Sequence, residues 1–386
     1  MVPNWVTTWT APPDGAGPAL QALTIRQIVR PGIGGSAVRI RLSNLHGTGP
    51  VTVGAAQVAQ RAGGADIEVG SGQALRFDGQ ASVTIAQGAS DTSDPVAMTV
   101  APLRELAVSL YLPAASGTVP STIHGAGMQT AYIARGADLS AAPVFPATET
   151  DDSRYFLTDL EVVAAANAQA VVVVGDSIAD GIGSALDANA RWPDLLAARL
   201  APSSVAVVNA GIAGNRLLKD ASKPFVGASV LARFARDALD KPGVRWIVLH
   251  AGINDISAAD MLAARSEQVS AQQIIDGMQT LIRQAHDRGL KICGATLLPY
   301  GGVGKPFIHS AAGEAKRQAV NAWIRDAGKF DAVVDFDQAL RDSGRSSRLA
   351  PAFDSGDHLH PNERGYHAMA EATAGALVFE EARGAN

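Results

Sequence analysis

Polar and apolar residues alternate at the strand period through the first half of the chain. Two clear runs are residues 37–43 and 106–112, in which every second residue is a large apolar one. Clusters of Gly, Pro, Ser and Asp separate such runs, as at residues 31–35 and 87–95. No convincing long helix pattern lies between them. The first half is therefore predicted to be an all-β sandwich of the jelly-roll kind.

The pattern changes after about residue 166. Residues 171–174 form a continuous apolar run, which is typical of a strand covered on both faces. Further short apolar runs follow at residues 205–209, 244–249, 291–297 and 332–335. Helical spacing of apolar residues lies between them, at Ile274, Met278, Leu281 and Ile282, and again at Val320, Trp323 and Ile324. Alternating strands and helices predict a parallel sheet with helices on both faces.

Length and composition indicate the number of domains and which partners are unlikely. The 386 residues fit two domains, which the change of pattern places at 1–166 and 167–386. The net charge is −5 and the charges are scattered, so no basic surface favours nucleic acid as a partner. The single cysteine, Cys293, lies in an apolar run and is expected to be buried and inert. No apolar stretch approaches the roughly 20 residues of a membrane-spanning helix.

Candidate chemistry follows the predicted parallel strands, where ligands of such sheets bind. Ser177 ends the segment Gly175-Asp-Ser after the first strand, and Gly211 and Gly214 follow the second. Asn254 follows the third strand. Taken singly, these residues also fit turns and helix caps, and Asn254 fits either a cap for the next helix or a hydrogen-bond donor to an oxyanion.

A second candidate segment, Asp357-His-Leu-His360, lies near the end of the chain. An acid three residues before a histidine can orient its imidazole as a general base for a serine hydroxyl. The alternative is a metal site built from Asp357, His358 and His360. In an extended segment the two histidines would point to opposite sides, and no other clear His/Cys cluster completes such a site, so the metal site is disfavoured.

Together these segments resemble, in order, the four conserved blocks of the SGNH (GDSL-type) hydrolases. The resemblance covers about residue 169 to the end and implies a flavodoxin-like three-layer α/β/α hydrolase domain. It implies Ser177 as nucleophile, His360 as general base and Asp357 as the acid that orients His360. The oxyanion hole would consist of the backbone N–H groups of Ser177 and Gly214 and the side-chain amide of Asn254. Gly211 is a nearby alternative to Gly214, which is preferred because the family pattern places the donor at the later glycine. The implied mechanism needs no metal or organic cofactor.

The same resemblance suggests supporting roles for other residues near these segments. Asp176, Asn209 and Asp255 are expected to brace the backbone beside the reacting groups. The loop 299–307 follows the fourth strand and should border the site, with Tyr300 and Phe307 as candidate lining residues.

The first half resembles, more loosely, the N-terminal region of XynE-like acylhydrolases, through segments that begin at Trp5, Arg26 and Arg39. Trp5 and Trp9 are expected to pack inside their domain, and His124 to be structural. The predicted function is a serine carboxylesterase for short-chain acyl esters, such as acetyl esters on polysaccharides.

Several alternatives stay open from sequence. They are a lysophospholipase or thioesterase acting on longer acyl chains, a sugar O-acyltransferase, and a glycan-binding protein without activity. The resemblance suggests a secreted or periplasmic protein, although residues 1–5 do not read as a signal peptide and a cytoplasmic location stays open. The oligomeric state is also left open.

Overall fold

The structure is a computed structural model that describes residues 2–116, 118–220, 226–262, 264–326 and 328–379. The chain forms two compact units. The first runs to Ala168 and the second begins at Gln169, except that Ala185–Asn189 and Ser203–Ala206 belong to the first unit. The predicted boundary at residues 166 and 167 lies two residues before this division.

The first unit consists of strands. They are β1 (Trp5–Thr10), β2 (Gly15–Ala19), β3 (Leu23–Val29), β4 (Gly35–Ser43), β5 (Val51–Val53), β6 (Ala55–Gly63), β7 (Asp66–Ile67), β8 (Gln73–Leu75), β9 (Val83–Ile85), β10 (Ser90–Thr92), β11 (Val96–Val100), β12 (Leu106–Leu112), β13 (Pro120–His124), β14 (Ala131–Arg135), β15 (Glu149–Asp151), β16 (Arg154–Tyr155) and β17 (Leu157–Val163). One short 3₁₀ turn, Ala114–Ser116, lies among them.

Two larger antiparallel sheets dominate this unit. One has the order β1-β17-β4-β10, with β11 also on β4, and the other has the order β15-β14-β3-β12-β6-β7, with β8 also on β6. Smaller sheets are β16-β13-β2 and β5-β9. In β4 the alternation seen in the sequence is realised directly, because Val38, Ile40 and Leu42 are buried while Arg39 and Arg41 are half-buried. The all-β prediction is confirmed, and the jelly-roll topology stays a prediction.

The second unit has an α/β fold. Its strands are β18 (Gln169–Gly175), β19 (Val205–Gly211), β20 (Val244–His250), β21 (Lys291–Ala295) and β22 (Ala332–Val334). Its helices are α1 (Ser177–Asp180), α2 (Trp192–Leu200), α3 (Val230–Phe234), α4 (Ile253–Met261), α5 (Ala271–Asp287), α6 (Ala311–Asp326), α7 (Phe336–Leu340) and α8 (Glu363–Ala376). A π-helical turn, Ala235–Leu239, continues α3, and 3₁₀ turns lie at Ala201–Ser203 and Arg265–Glu267.

The sheet has the order β19-β18-β20-β21-β22. The neighbouring pairs β18–β20, β20–β21 and β21–β22 are parallel. This is the flavodoxin-like order, in which ligands bind beyond the carboxyl ends of the strands. The predicted parallel sheet is confirmed. Within β20, Ile247 and Leu249 join a core cluster that includes Met278 of α5. The alternate residue His250 points to the other face, where its ring contacts Phe336 of α7.

The fourth strand is shorter than its apolar run. It was expected to reach residue 297 but ends at Ala295. At Leu297 the N–H donates to the Asn321 side chain at 2.7 Å, and the Leu297 carbonyl accepts from Asn321 and from Arg317. Side chains of α6 thus take the place of a strand neighbour and end the ladder.

Candidate active site

Ser177 stands at the junction between β18 and α1. Asp176 is the N-cap of α1, and its side chain accepts a hydrogen bond from the N–H of Ile178 at 3.1 Å. Ser177 is the first residue of the helix and is half-buried. The first N–H groups of a helix have no partner within that helix, so a serine here lies beside backbone donors.

A hydrogen-bonded chain joins Ser177 to His360 and Asp357. The Ser177 Oγ lies 2.8 Å from His360 Nε2, and His360 Nδ1 lies 2.5 Å from Asp357 Oδ2. The carboxylate accepts the Nδ1 proton, which leaves the Nε2 lone pair facing the serine hydroxyl. This is the arrangement in which an imidazole can accept a proton from serine.

Asp357 is held by more than the histidine ring. Its Oδ1 accepts from the backbone N–H groups of Leu359 and His360, both at 2.8 Å. Partial burial alone would raise the pKa of Asp357, but these hydrogen bonds and the one from the His360 ring hold that pKa below its usual value. The carboxyl therefore stays ionised and keeps its orientation toward the ring.

The segment that carries Asp357 and His360 is a tight turn, in contrast to the extended segment considered for the metal alternative. His358 has a φ of 64°, in the left-handed region, and the N–H of Ser355 donates to the His360 carbonyl at 3.1 Å. His358 bonds to Asp354 and His360 to Asp357. Within the described ranges, no group of three or more His, Cys, Asp or Glu side chains is placed to hold a metal ion.

Gly214 lies in a turn after β19. The N–H of Asn215 donates to the Ile212 carbonyl at 3.1 Å, and Gly214 has a φ of 74°. A residue with a positive φ at this point of a turn is normally glycine. The turn is tied to α1, because the N–H of Ala213 donates to Asp180 Oδ2 at 2.8 Å.

Asn254 belongs to the first turn of α4 and is buried. The cap of that helix is Gly252, so Asn254 is not the helix cap. Its Nδ2 donates to the Asn215 carbonyl at 3.0 Å, which links it to the turn that contains Gly214. An amide nitrogen carries two hydrogens, and this contact uses one of them.

Gly211, the alternative to Gly214, has its N–H engaged. That group donates to Asn209 Oδ1 at 2.9 Å, while Asn209 Nδ2 donates to the Ala179 carbonyl at 2.7 Å. Asn209 therefore braces the chain between β19 and α1, as expected from the sequence.

Two buried carboxyls support the same region. Asp255 accepts from the N–H groups of Leu217 and Leu218, at 2.6 and 3.0 Å. Burial raises the pKa of Asp255, and it raises the pKa of Asp176 to about 7. Both side chains hold backbone, which agrees with the supporting roles expected for them.

Sequence reasoning missed Arg233 of α3, whose side chain is fully buried. Its guanidinium donates to the carbonyls of Gly175 and Ala210, at 3.1 and 2.8 Å, and to Asn215 Oδ1 at 3.0 Å. Burial lowers the pKa of Arg233, and Asp237 at 3.2 Å opposes this effect. The available signal was an arginine within the apolar pattern Val230-Leu-Ala-Arg-Phe234.

A cleft of about 510 Å³ lies beside Asp357, between residues 302–307 and 356–359. Phe307 lines it, as expected for this loop. Tyr300 is buried with Ile253 and Leu359 in a small apolar cluster and is not among the lining residues.

The remaining candidates have structural surroundings. Trp9 is buried and Trp5 is half-buried under the Arg39 guanidinium, 4.1 Å from the ring centre. His124 is buried, with Nδ1 3.0 Å from the Pro12 carbonyl oxygen. Burial raises the pKa of the Cys293 thiol to about 12, which fits an inert side chain. In the part of the chain that the structure describes, no helix has the length and apolar character to cross a membrane.

The fold and this site define a class: an α/β protein with a flavodoxin-like sheet that carries serine, histidine and aspartate in one hydrogen-bonded chain. The family model of GDSL-like lipases and acylhydrolases matches residues 173–368, slightly more than half of the chain. The chain therefore belongs to the GDSL-like lipase/acylhydrolase family and is a hydrolytic esterase. The XynE-like branch is not confirmed by this match.

The solved structures to which this chain is similar align with about half of its length. A carbohydrate acetylesterase from Sinorhizobium meliloti is 14% identical, with 54% of this chain and 97% of that chain covered and a TM-score of 0.43. An aryl esterase from M. smegmatis is 17% identical with the same coverages and TM-score. A GDSL-like lipase from Bacteroides thetaiotaomicron is 19% identical over 53% and 85%, with a TM-score of 0.40. No curated protein matches the chain.

Proposed function

We propose that the protein is a serine carboxylesterase in which Ser177, His360 and Asp357 form the catalytic triad. The observation that carries this proposal is the chain of hydrogen bonds from Ser177 Oγ through the His360 ring to the Asp357 carboxylate, at 2.8 and 2.5 Å. Within the family to which the chain belongs, this is the group of side chains that acyl transfer requires.

In the first half-reaction Ser177 Oγ attacks the ester carbonyl carbon, and His360 Nε2 takes the hydroxyl proton. The tetrahedral intermediate then collapses, the carbon–oxygen bond to the alcohol breaks, and His360 returns its proton to the departing alcohol. In the second half-reaction water attacks the acyl group on Ser177 while His360 accepts a water proton. The acid leaves, and the same proton restores the serine hydroxyl.

Three hydrogen-bond donors stabilise the negative charge on the tetrahedral oxygen: the N–H groups of Ser177 and Gly214 and the side-chain amide of Asn254. Support comes from how they are held. Asn254 is buried and tied to Asn215, and Asp180 ties the Gly214 turn to the helix that begins at Ser177. Donors fixed in advance need not reorganise when charge develops, which is the source of their catalytic effect.

The substrate proposed is a short-chain acyl ester, such as an acetyl ester on a polysaccharide. The cleft beside Asp357 has Lys305 and His358 among its lining residues. These two side chains can hydrogen-bond to polar groups of a substrate. The apolar residues Val303, Phe307 and Leu359 supply the contact area for a small acyl group.

The test is hydrolysis of p-nitrophenyl esters from acetate to palmitate, with EDTA present, by the wild type and Ser177→Ala. We expect turnover of short esters that falls with acyl length and is lost in the variant. Ser310→Ala serves as the matched control, because Ser310 hydrogen-bonds to Asp260 and not to a histidine. A variant that keeps the wild-type rate would refute the role of Ser177, and activity that rises toward palmitate would favour the long-chain alternative.

A further inference from the structure

His358 lines the cleft beside the proposed triad and has no part in the mechanism above. It lies two residues before His360, and its side chain is 46% exposed. Gly302 stands next to it: a Cβ atom at Gly302 would lie 3.5 Å from His358 Cδ2. The imidazole and the loop of residues 302–307 therefore line the same cleft, with room for about one side-chain atom between Gly302 and the ring.

Asp354 fixes the orientation of this ring. The Asp354 carboxylate pairs with His358 Nδ1 through Oδ2, while Oδ1 accepts from the N–H groups of Gly356 and His358, at 2.8 and 3.0 Å. Since the carboxylate accepts the Nδ1 proton, the neutral ring keeps a lone pair on Nε2. Nε2 is bonded to Cδ2, the atom near Gly302, and within the described residues it has no hydrogen-bond partner. The ring thus presents an oriented acceptor.

The backbone at His358 points to a use for this side chain. Its φ of 64° lies in the left-handed region, where glycine is at ease and most other residues are strained. Residues held in this region cluster at ligand-binding and active sites. A glycine would make the same turn without strain, but it would leave the cleft without the acceptor.

We infer that His358 binds a hydroxyl group on the alcohol portion of the substrate, so that the enzyme prefers acyl esters of sugars to those of phenols. This inference rests on the proposed function, because the alcohol is the group that His360 would protonate. A sugar hydroxyl can donate to Nε2 of His358, and Lys305 in the same lining can donate to a hydroxyl oxygen. A phenol ester offers no hydroxyl for either contact.

The experiment compares kcat/KM for a monoacetylated methyl glucoside and for phenyl acetate, in the wild type and in His358→Gly. Glycine keeps the backbone turn and removes only the imidazole. We expect the ratio of the two kcat/KM values to fall about five- to tenfold, the effect of one hydrogen bond, with most of the change in KM of the sugar ester. His286→Ala is the control. His286 lies on α5, is similarly exposed and hydrogen-bonds to Asp331, so its loss should leave kcat/KM for both esters unchanged.

Each outcome decides the inference. A ratio within twofold of wild type, or equal loss on both substrates, would overturn the binding role, since a purely structural residue affects both esters alike. If the wild type hydrolyses phenyl acetate through Ser177 but the ratio does not respond to His358→Gly, this inference fails and the proposed esterase stands. If the wild type hydrolyses neither ester, both the role of His358 and the proposed esterase function are refuted.

Discussion

Arg233 donates a hydrogen bond to the carbonyl of Gly175, at 3.1 Å, two residues before Ser177. The same guanidinium reaches the end of β19 and the Asn215 side chain beside Gly214. One buried side chain thus fixes two strand ends and the turn that carries a proposed oxyanion donor. Positioning of Ser177 against Gly214 depends on a residue that would touch no substrate.

Replacing Arg233 by Met should therefore lower both stability and kcat. Two buried acceptors, the Ala210 carbonyl and Asn215 Oδ1, would lose this donor, whereas the Gly175 carbonyl keeps the N–H of Ile212 at 3.2 Å. Such a loss costs roughly 1–3 kcal/mol for each group, so we expect the free energy of unfolding to fall by about 2–6 kcal/mol. The loss of alignment should lower kcat by about tenfold with little change in KM. Urea unfolding and steady-state kinetics measure the two effects.

Arg288→Met is the control, because Arg288 pairs with Asp240 at 3.0 Å and both side chains are more than half exposed. It should change stability by less than about 1 kcal/mol, as surface pairs do. Equal effects of the two substitutions would contradict the bracing role of Arg233.

Asn254→Ala tests the side-chain donor of the oxyanion hole. The loss of one such donor usually lowers kcat by ~10²–10³, with a small effect on KM. Asn321→Ala is the control, since Asn321 is also a buried helical asparagine but bonds only to Leu297. The control should destabilise the fold and keep kcat within about threefold. A similarly small change for Asn254→Ala would remove Asn254 from the mechanism.

Asp176→Asn tests the buried carboxyl beside the serine. Burial raises the pKa of Asp176 to about 7 from a usual 3.8. Between these values Asp176 keeps a proton in the folded protein that it releases in the unfolded chain, so its contribution to stability falls as pH rises through this range. Across the whole range, the contribution of Asp176 to the free energy of unfolding falls by on the order of 4 kcal/mol. Asparagine keeps the acceptor for Ile178 and cannot ionise, and it should remove most of this fall.

Thermal unfolding from pH 4 to pH 8 measures the difference. The variant should gain stability relative to the wild type as pH rises, and the gain should level off above about pH 7. Asp240→Asn, at a half-exposed carboxyl, should leave the pH dependence unchanged. A difference in stability between the variant and the wild type that stays constant from pH 4 to pH 7 would show that the pKa of Asp176 is not raised.

Which parts of the fold and of the candidate site could be predicted from the sequence depends on the kind of contact that forms them. The parallel strands were predictable because β18 is apolar along its length and is buried on both faces. Helix α8 was not singled out, since three of its five buried residues are Gly365, Ala370 and Thr373, which are weakly hydrophobic or polar. The resemblance identified the triad candidates because their chemistry is tied to fixed motifs.

Contacts to backbone atoms leave no such signal. Arg233 binds carbonyl groups, and every residue has one, so no partner could be identified from residue type. The left-handed conformation of His358 could not be predicted, because nothing in Asp357-His-Leu-His360 marks a left-handed residue. Both features depend on how the chain folds back on itself.

The most direct test of the central claim is covalent labelling of the nucleophile. The protein would be treated with a fluorophosphonate, digested and examined by mass spectrometry, alongside His360→Ala. We predict a single adduct on the peptide that contains Ser177, formed at least a hundredfold more slowly when His360 is absent. An adduct on another serine, or labelling of Ser177 at an unchanged rate in His360→Ala, would contradict the account.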